Sequence, residues 1–223
     1  MIKAILTDVE GTTSSIAFVK EQLFPYARAH MGEFVRTHAD ESEVIALLDE
    51  VCSVAGEPLE QEALIQQLLR WIDEDKKITA LKRLQGMIWT AGYRNGDFTG
   101  HVYEDAARNL RSWYEEGVKL YVFSSGSVQA QRLIFGYSDF GDLTPLFSGY
   151  FDTTMGNKRD VDAYVKIAGQ IGLPEGDILF LSDTVEELDA AFTAGMQTLQ
   201  LIRDASVNVS HHRSISSFDQ VNL

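Results

Sequence analysis

Lys3-Ala4-Ile5-Leu6-Thr7-Asp8-Val9-Glu10-Gly11-Thr12-Thr13 is the stretch that decides the fold. Ala4, Ile5 and Leu6 form a short apolar run, the pattern of a strand buried on both faces of a parallel sheet. Gly11 lets the backbone turn sharply where that strand ends. Asp8 and Glu10 are thereby delivered to the carboxyl edge of a sheet, where open α/β folds bind their ligands. A carboxylate at that edge can hold Mg²⁺, or it can attack phosphorus and form an aspartyl-phosphate. It can equally do no more than organise a turn. The rest of the chain has to decide between these.

Downstream of Thr13 the strand pattern vanishes. Ala17 to Thr37 has helical character, with Pro25 either kinking it or starting a new helix. Val44, Leu47, Leu48 and Val51 fall at helical spacing over 43–54, and Gly56 and Pro58 punctuate the end. Leu64, Leu68 and Trp71 repeat the pattern over 59–72, as do Leu81, Leu84 and Ile88 over 79–93. A helical block set between two strand regions predicts an α/β core with an inserted helical cap. The expected division is 1–15 for the first strand and its loop, 16–99 for the cap and 100–223 for the rest of the core.

From His101 on, helices and strands alternate. Helices are predicted over 106–116, 128–135, 161–171 and 186–194, and strands over 120–123, 150–153, 178–181 and 198–202. This is the order of a doubly wound parallel sheet. No element is assigned to the polar tail from Asp204.

The chain has 223 residues, 45% hydrophobic and 23% charged, which suits one large domain or a core with a smaller insert. No apolar run reaches the length of a membrane span, and no signal-peptide pattern opens the chain. Cys52 is the only cysteine, so no intrachain disulfide forms. Its apolar helical setting predicts a small buried hydrophobe. A cytoplasmic location is the default expectation. The net charge of −14 argues against nucleic acid or an anionic membrane as partner. It also requires that any site for a phosphorylated substrate be made locally positive by Mg²⁺, helix N-termini or a lysine.

Polar groups of a consistent kind sit at the successive strand ends. Asp8 and Glu10 follow the first strand, and Ser124 and Ser125 the second. Lys158 opens the helix after the third, and Asp183 and Glu187 follow the fourth. In a parallel sheet these groups meet in one crevice. They are what phosphoryl transfer from a monoester needs: an attacking carboxylate, oxygen ligands for a hard cation, and hydroxyl and ammonium groups for the non-bridging oxygens. Each has a plainer alternative. Ser124 and Ser125 are also good caps for the helix near Val128, and Asp183 for the one after it. Lys158 and Glu187 read equally well as solvated charges. Together, and in this order, they point to one active site.

The order Asp-x-Glu, Ser-Ser, Lys, Ser-Asp-x-x-x-Glu resembles the four motifs of the haloacid dehalogenase superfamily, whose phosphatases use Mg²⁺ and an aspartyl-phosphate. Further phrases resemble its enolase-phosphatase family, the acireductone-forming enzymes of methionine salvage: 8–16, 23–27, 100–103, 124–131, 135–138, 141–152 and 180–190. The likeness spans nearly the whole chain and is weakest over 40–78. It departs from the general superfamily pattern at Glu10, where Asp is usual, and at Ser182, where Gly or Asp is common. The resemblance implies a haloacid-dehalogenase-like core with a cap. It implies Asp8 as nucleophile and metal ligand. Glu10 would be a ligand through its carbonyl and a candidate acid/base, with Asp183 completing a site for one Mg²⁺ per chain. Ser124, Ser125 and Lys158 would bind the substrate phosphate, and Glu187 would touch the metal shell only through a neighbour. The implied reaction takes 2,3-diketo-5-methylthiopentyl 1-phosphate to 1,2-dihydroxy-3-keto-5-methylthiopentene and phosphate, in a chain expected to be monomeric. His101, His211 and His212 read as surface or capping residues. The alternatives are a Mg²⁺-dependent phosphatase of another small monoester and a receiver-type signalling domain. Chain order opposes the receiver, which carries its phosphorylated Asp after a later strand and has no room for a helical insert.

Overall fold

The computed structural model describes residues 1–204 and 209–223. The described residues form two compact units, Met1–Ile16 with Thr99–Leu223, and Ala17–Phe98.

The first unit is built on a six-stranded, all-parallel sheet in the order β3-β2-β1-β4-β5-β6. Its strands are β1 (Ala4–Thr7), β2 (Lys119–Phe123), β3 (Phe147–Phe151), β4 (Ile178–Ser182), β5 (Gln197–Leu201) and β6 (Ser214–Ile215). β1 is central and short, and every one of its residues is buried, as its unbroken apolar run requires. Its neighbours are in register with it: Thr7 lies opposite Val122 of β2 and Leu181 of β4. The residues that follow these strands therefore leave the sheet at one level and on one edge.

Helices α8 (Val161–Ile171) and α9 (Val185–Thr193) cover one face of the sheet. Tyr164, Ile167, Leu188 and Ala191 pack there with Ala4, Leu6, Phe123, Ile178 and Phe180. The alternate residues Ile5, Val122, Leu179 and Leu181 are also buried. α6 (Glu104–Glu115) packs against β2 and α7 (Val128–Gly136) against β3.

The second unit is helical. α1 (Ile16–Phe18) runs through a π-helical segment, Val19–Leu23, into α2 (Phe24–His38). Pro25 stands in the first turn of α2, directly after the π-helical segment, with helical dihedrals at Leu23 and Phe24. α3 (Ser42–Ala55), α4 (Gln61–Asp73) and α5 (Thr79–Asn95) complete the unit. Its interior is the apolar stripe of each helix: Met31 and Val35, Leu47 and Val51, Leu68 and Trp71, Leu84 and Ile88. Ion pairs such as Arg28–Asp73 and Arg36–Glu62 lie on its exposed surface. In that setting they add little stability. No helix among the described residues is long and apolar enough to cross a membrane.

Three expectations need correction. Cys52 is only partly buried, and its sulfur accepts the Leu59 N–H at 3.4 Å. The third strand begins at Phe147, three residues before the Tyr150 expected from the apolar pattern, because Ser148 and Gly149 carry no hydropathy signal. The tail, to which the sequence assigns no element, carries β6 and a 3₁₀ turn at Phe218–Gln220 among its described residues.

Phe218 is fully buried and stacks on Trp113 at 5.5 Å. Asp105 accepts hydrogen bonds there from the Phe218 N–H at 2.7 Å, Arg203 Nη1 at 2.8 Å and the Ser217 hydroxyl at 3.0 Å. Burial opposes ionisation of Asp105, but these donors outweigh it and hold its pKa below the ordinary aspartate value. A depressed carboxylate contributes its full stability above the unfolded pKa, about 3.9, and loses it as pH falls through the lower folded value. Asp105→Asn should therefore cost roughly 2–4 kcal/mol at pH 7, since it also leaves the buried Arg203 without its counter-charge. Urea unfolding should show the gap to wild type closing as the pH is taken to 3. An unchanged gap would remove the carboxylate charge as its cause.

Candidate active site

Asp8 follows β1 directly and is 5% exposed. Its main chain is tied into the sheet by its N–H to the Leu181 carbonyl, 2.9 Å, while the Thr13 hydroxyl donates to its own carbonyl at 3.1 Å. On the side chain, Oδ1 accepts the Val9 N–H at 2.8 Å and faces Lys158 Nζ at 2.7 Å. Oδ2 has a longer contact, 3.5 Å, with the Ser182 hydroxyl. One carboxylate oxygen is thus anchored, and the other keeps lone pairs to give.

Lys158 lies three residues before α8 rather than opening it, and it is not a solvated lysine: 5% of it is exposed. Its ammonium bridges Asp8 and Glu187 Oε2, the latter at 2.6 Å. Burial acts to lower its pKa, but the two carboxylates overcome this and the net shift is upward. Glu187, one turn along from Asp183 on α9, meets the ammonium directly. Its remaining support is the Ser182 hydroxyl at 3.1 Å. Burial, and then the charge of Asp8, push the Glu187 pKa up to about 7.

Asp183 follows β4. Thr184, not Asp183, is the N-cap residue of α9, so the Asp183 carboxylate is not spent on capping. Its Oδ2 lies only 2.2 Å from where a Cβ on Gly11 would stand, and Gly11 is held at φ +72°. Glycine at position 11 is what allows the carboxylate of β4 to close against the loop after β1. Burial and the neighbouring Asp8 charge raise the Asp183 pKa to about 6.

The remaining expected residues are placed less centrally. Ser124 follows β2 and is buried, and its hydroxyl accepts the Gly126 N–H at 3.0 Å. Ser125 is exposed. Neither caps α7, because that task falls to Ser127, whose hydroxyl accepts the Ala130 N–H. The Glu10 side chain is exposed, beside the buried group rather than within it. His101 accepts the Ser15 N–H at 3.0 Å just ahead of α1. His212 is buried, against expectation.

Sequence reasoning missed three supporting residues. Ser182 touches both Asp8 and Glu187. Tyr164 donates its hydroxyl to the Lys158 carbonyl at 2.7 Å. Gln131 is buried and ties Gly126 to Phe151, its amide donating to both carbonyls at 2.8 Å. A polar residue on the buried stripe of α7 was the available signal for Gln131. Tyr164 gave none beyond an apolar pattern.

Asp8, Glu187 and Asp183 set three carboxylates against the single ammonium of Lys158. Such a set is short of positive charge, and its donors are hard oxygens, the kind Mg²⁺ takes. Asp8 and Asp183 would supply carboxylates and Glu10 its backbone carbonyl. The residues therefore fit the ion.

The site thus sets an Asp directly after the central strand, pairs it to a buried lysine and opposes it with a second Asp across the loop. The chain belongs to the haloacid dehalogenase-like hydrolases, whose family model matches residues 2–195. Within that class its relatives are enolase-phosphatases E1. The one from Methylococcus capsulatus is 58% identical over 222 residues, covering 99% of this chain and 98% of that one. The one from Serratia proteamaculans is 54% identical over 224 residues, covering 100% and 98%. Among solved structures, the UTR4 protein of Saccharomyces cerevisiae matches with a TM-score of 0.84 and 32% identity, covering 99% of this chain and all of that one. CbbY from Rhodobacter sphaeroides, at 18% identity and a TM-score of 0.63, shares the fold. A receiver-type signalling domain is set aside by this membership.

Proposed function

We propose that the chain converts 2,3-diketo-5-methylthiopentyl 1-phosphate to the acireductone 1,2-dihydroxy-3-keto-5-methylthiopentene and phosphate, the acireductone synthase step of methionine salvage. The reaction class is carried by one observation, the buried Lys158 ammonium bridging Asp8 and Glu187 at the carboxyl edge of the sheet. The choice of substrate is supported by identity to enolase-phosphatases along essentially the whole chain.

In this reading, enolisation comes first. A proton leaves the carbon bearing the phosphate, and one is returned to the neighbouring carbonyl oxygen. Glu10 is the candidate base: its carboxylate is outside the buried cluster and two residues from Asp8. Asp8 then attacks phosphorus, the bond to the ester oxygen breaks, and the leaving oxygen takes a proton. Water next attacks the aspartyl-phosphate at phosphorus, releasing phosphate and restoring Asp8. Lys158 neutralises charge on the phosphoryl oxygens, and Ser124 and Ser125 bind them by hydrogen bonds. Ser182 and Tyr164 keep Glu187 and Lys158 in place. Mg²⁺, held by Asp8, Asp183 and the Glu10 carbonyl, supplies Lewis-acid polarisation and charge neutralisation when bound. The helical unit, residues 17–98, corresponds to the inserted cap, and substrate selection is its role in this reading. The substrate is a small metabolite, consistent with a cytoplasmic enzyme.

The deciding experiment follows ultraviolet absorbance and phosphate release together with the diketo phosphate and Mg²⁺. An absorbing enol should precede or accompany phosphate, with deuterium exchange at the phosphate-bearing carbon, and chelation should stop the reaction. Phosphate release with neither enol signal nor exchange would leave a plain phosphatase. No release at all would refute the substrate.

A further inference from the structure

We propose that Asp189, His211 and His212 form a second cation site, separate from the catalytic carboxylates and selective for a transition metal such as Zn²⁺ or Ni²⁺. Among the described residues, these three bring their ligand atoms within 4.8 Å of one another, the only such group of three His, Cys, Asp or Glu side chains. Both imidazoles converge on a single oxygen: Nε2 of His212 is 2.9 Å, and Nε2 of His211 3.5 Å, from Asp189 Oδ1. An ion with bonds of about 2.0–2.1 Å holds neighbouring donors about 3.0–3.4 Å apart, so these two separations bracket what coordination needs.

His212 is built as a ligand would be. It is 3% exposed in its side chain, and Nδ1 lies 2.9 Å from the Thr198 hydroxyl on β5. A hydrogen bond at the far ring nitrogen is the usual device that fixes the tautomer and aim of a metal-binding histidine. Phe192 covers one side of the ring, with centroids 5.9 Å apart. Without an ion, Nε2–H donates to Asp189 and the Thr198 hydroxyl donates to Nδ1. On binding, the ring changes tautomer: the Nε2 proton leaves to solvent and Nδ1 takes one up from solvent, so the imidazole stays neutral. Nδ1–H then donates to the Thr198 oxygen, whose hydroxyl proton turns away from the ring. His211 and Asp189 are open to solvent, at 70% and 48% exposure, so the ion can enter.

Two nitrogens and one oxygen are borderline donors. They favour zinc, nickel or copper over Mg²⁺, which keeps to oxygen. The two sites of the chain thus differ in donor chemistry. Bound there, the ion would pin the segment ahead of β6 to α9.

The test is isothermal titration of zinc sulfate into the full chain held at saturating Mg²⁺. One equivalent should bind to wild type, and this equivalent should be missing from both His211→Ala and Asp189→Asn. Position 211 is exposed enough that its substitution leaves the fold alone. Zinc should also raise the wild-type melting temperature and not that of His211→Ala. A stoichiometry that is the same in all three proteins, or no zinc bound by wild type in the presence of Mg²⁺, would overturn the proposal.

Discussion

Asp8→Asn should lower phosphate release by at least about 10⁴-fold, the scale on which losing a nucleophile acts, while the protein stays folded. The amide oxygen can keep the Val9 N–H and the Lys158 contact now made by Oδ1, and the amide nitrogen then faces the Ser182 hydroxyl. In the proposed mechanism, what is lost is the anionic oxygen that attacks phosphorus, and with it one negative metal donor. Because proton abstraction from carbon needs no attack on phosphorus, the variant supplied with ample Mg²⁺ should still enolise. It should accumulate an ultraviolet-absorbing phosphorylated enol without phosphate. Substantial phosphate turnover by Asp8→Asn would exclude Asp8 as nucleophile.

Lys158→Ala should cost roughly 10²–10³ in turnover, as removal of one preorganised stabiliser of developing charge does. Among the described residues, Lys158 is the only cation paired with Asp8 and Glu187. Two buried carboxylates would be left facing one another, which costs about 3–5 kcal/mol if both stay ionised. Glu187 would instead hold its proton more tightly, because the ammonium that now lowers its pKa is gone. A raised carboxylate loses stability as pH climbs from its unfolded pKa, about 4.3, to its folded one. In wild type that loss ends near the folded value of about 7. In metal-free Lys158→Ala it should continue to higher pH, so unfolding at pH 6 and pH 8 should differ more than in wild type. Wild-type kinetics in this variant would return Lys158 to the role of a structural cation.

The helices of both units and the parallel sheet were legible because periodicity is a local property. A stripe at helical spacing, or an unbroken apolar run bounded by Gly, reports its element without knowing its neighbours. Pro25 could be read either as a kink or as a helix start. The structure puts it in the first turn of α2, entered through a π-helical turn that no residue pattern announces. The two-residue β6 and the turn at Phe218 were out of reach. Segments so short show no period: β6 is held by its pairing with β5, and the turn at Phe218 by Asp105, far away in the chain.

At the site, the sequence by itself determined the order of the chemical groups and the edge on which they gather. That much follows from polar residues directly after β1, β2 and β4, and a lysine in the loop after β3, once the strands are parallel. Only the tertiary structure decided what each group touches. Register places Asp8 level with Ser182, and Gly11 lets Asp183 close against the first loop. Burial turns Lys158 from a surface charge into the bridge between two carboxylates. It also makes Glu187 a direct partner of that bridge, and Ser127 rather than Ser124 or Ser125 the helix cap. The physical reason is that the charge state and partner of a side chain depend on its solvation and on residues brought near it by strand pairing. Neither is encoded in the few residues on either side of it.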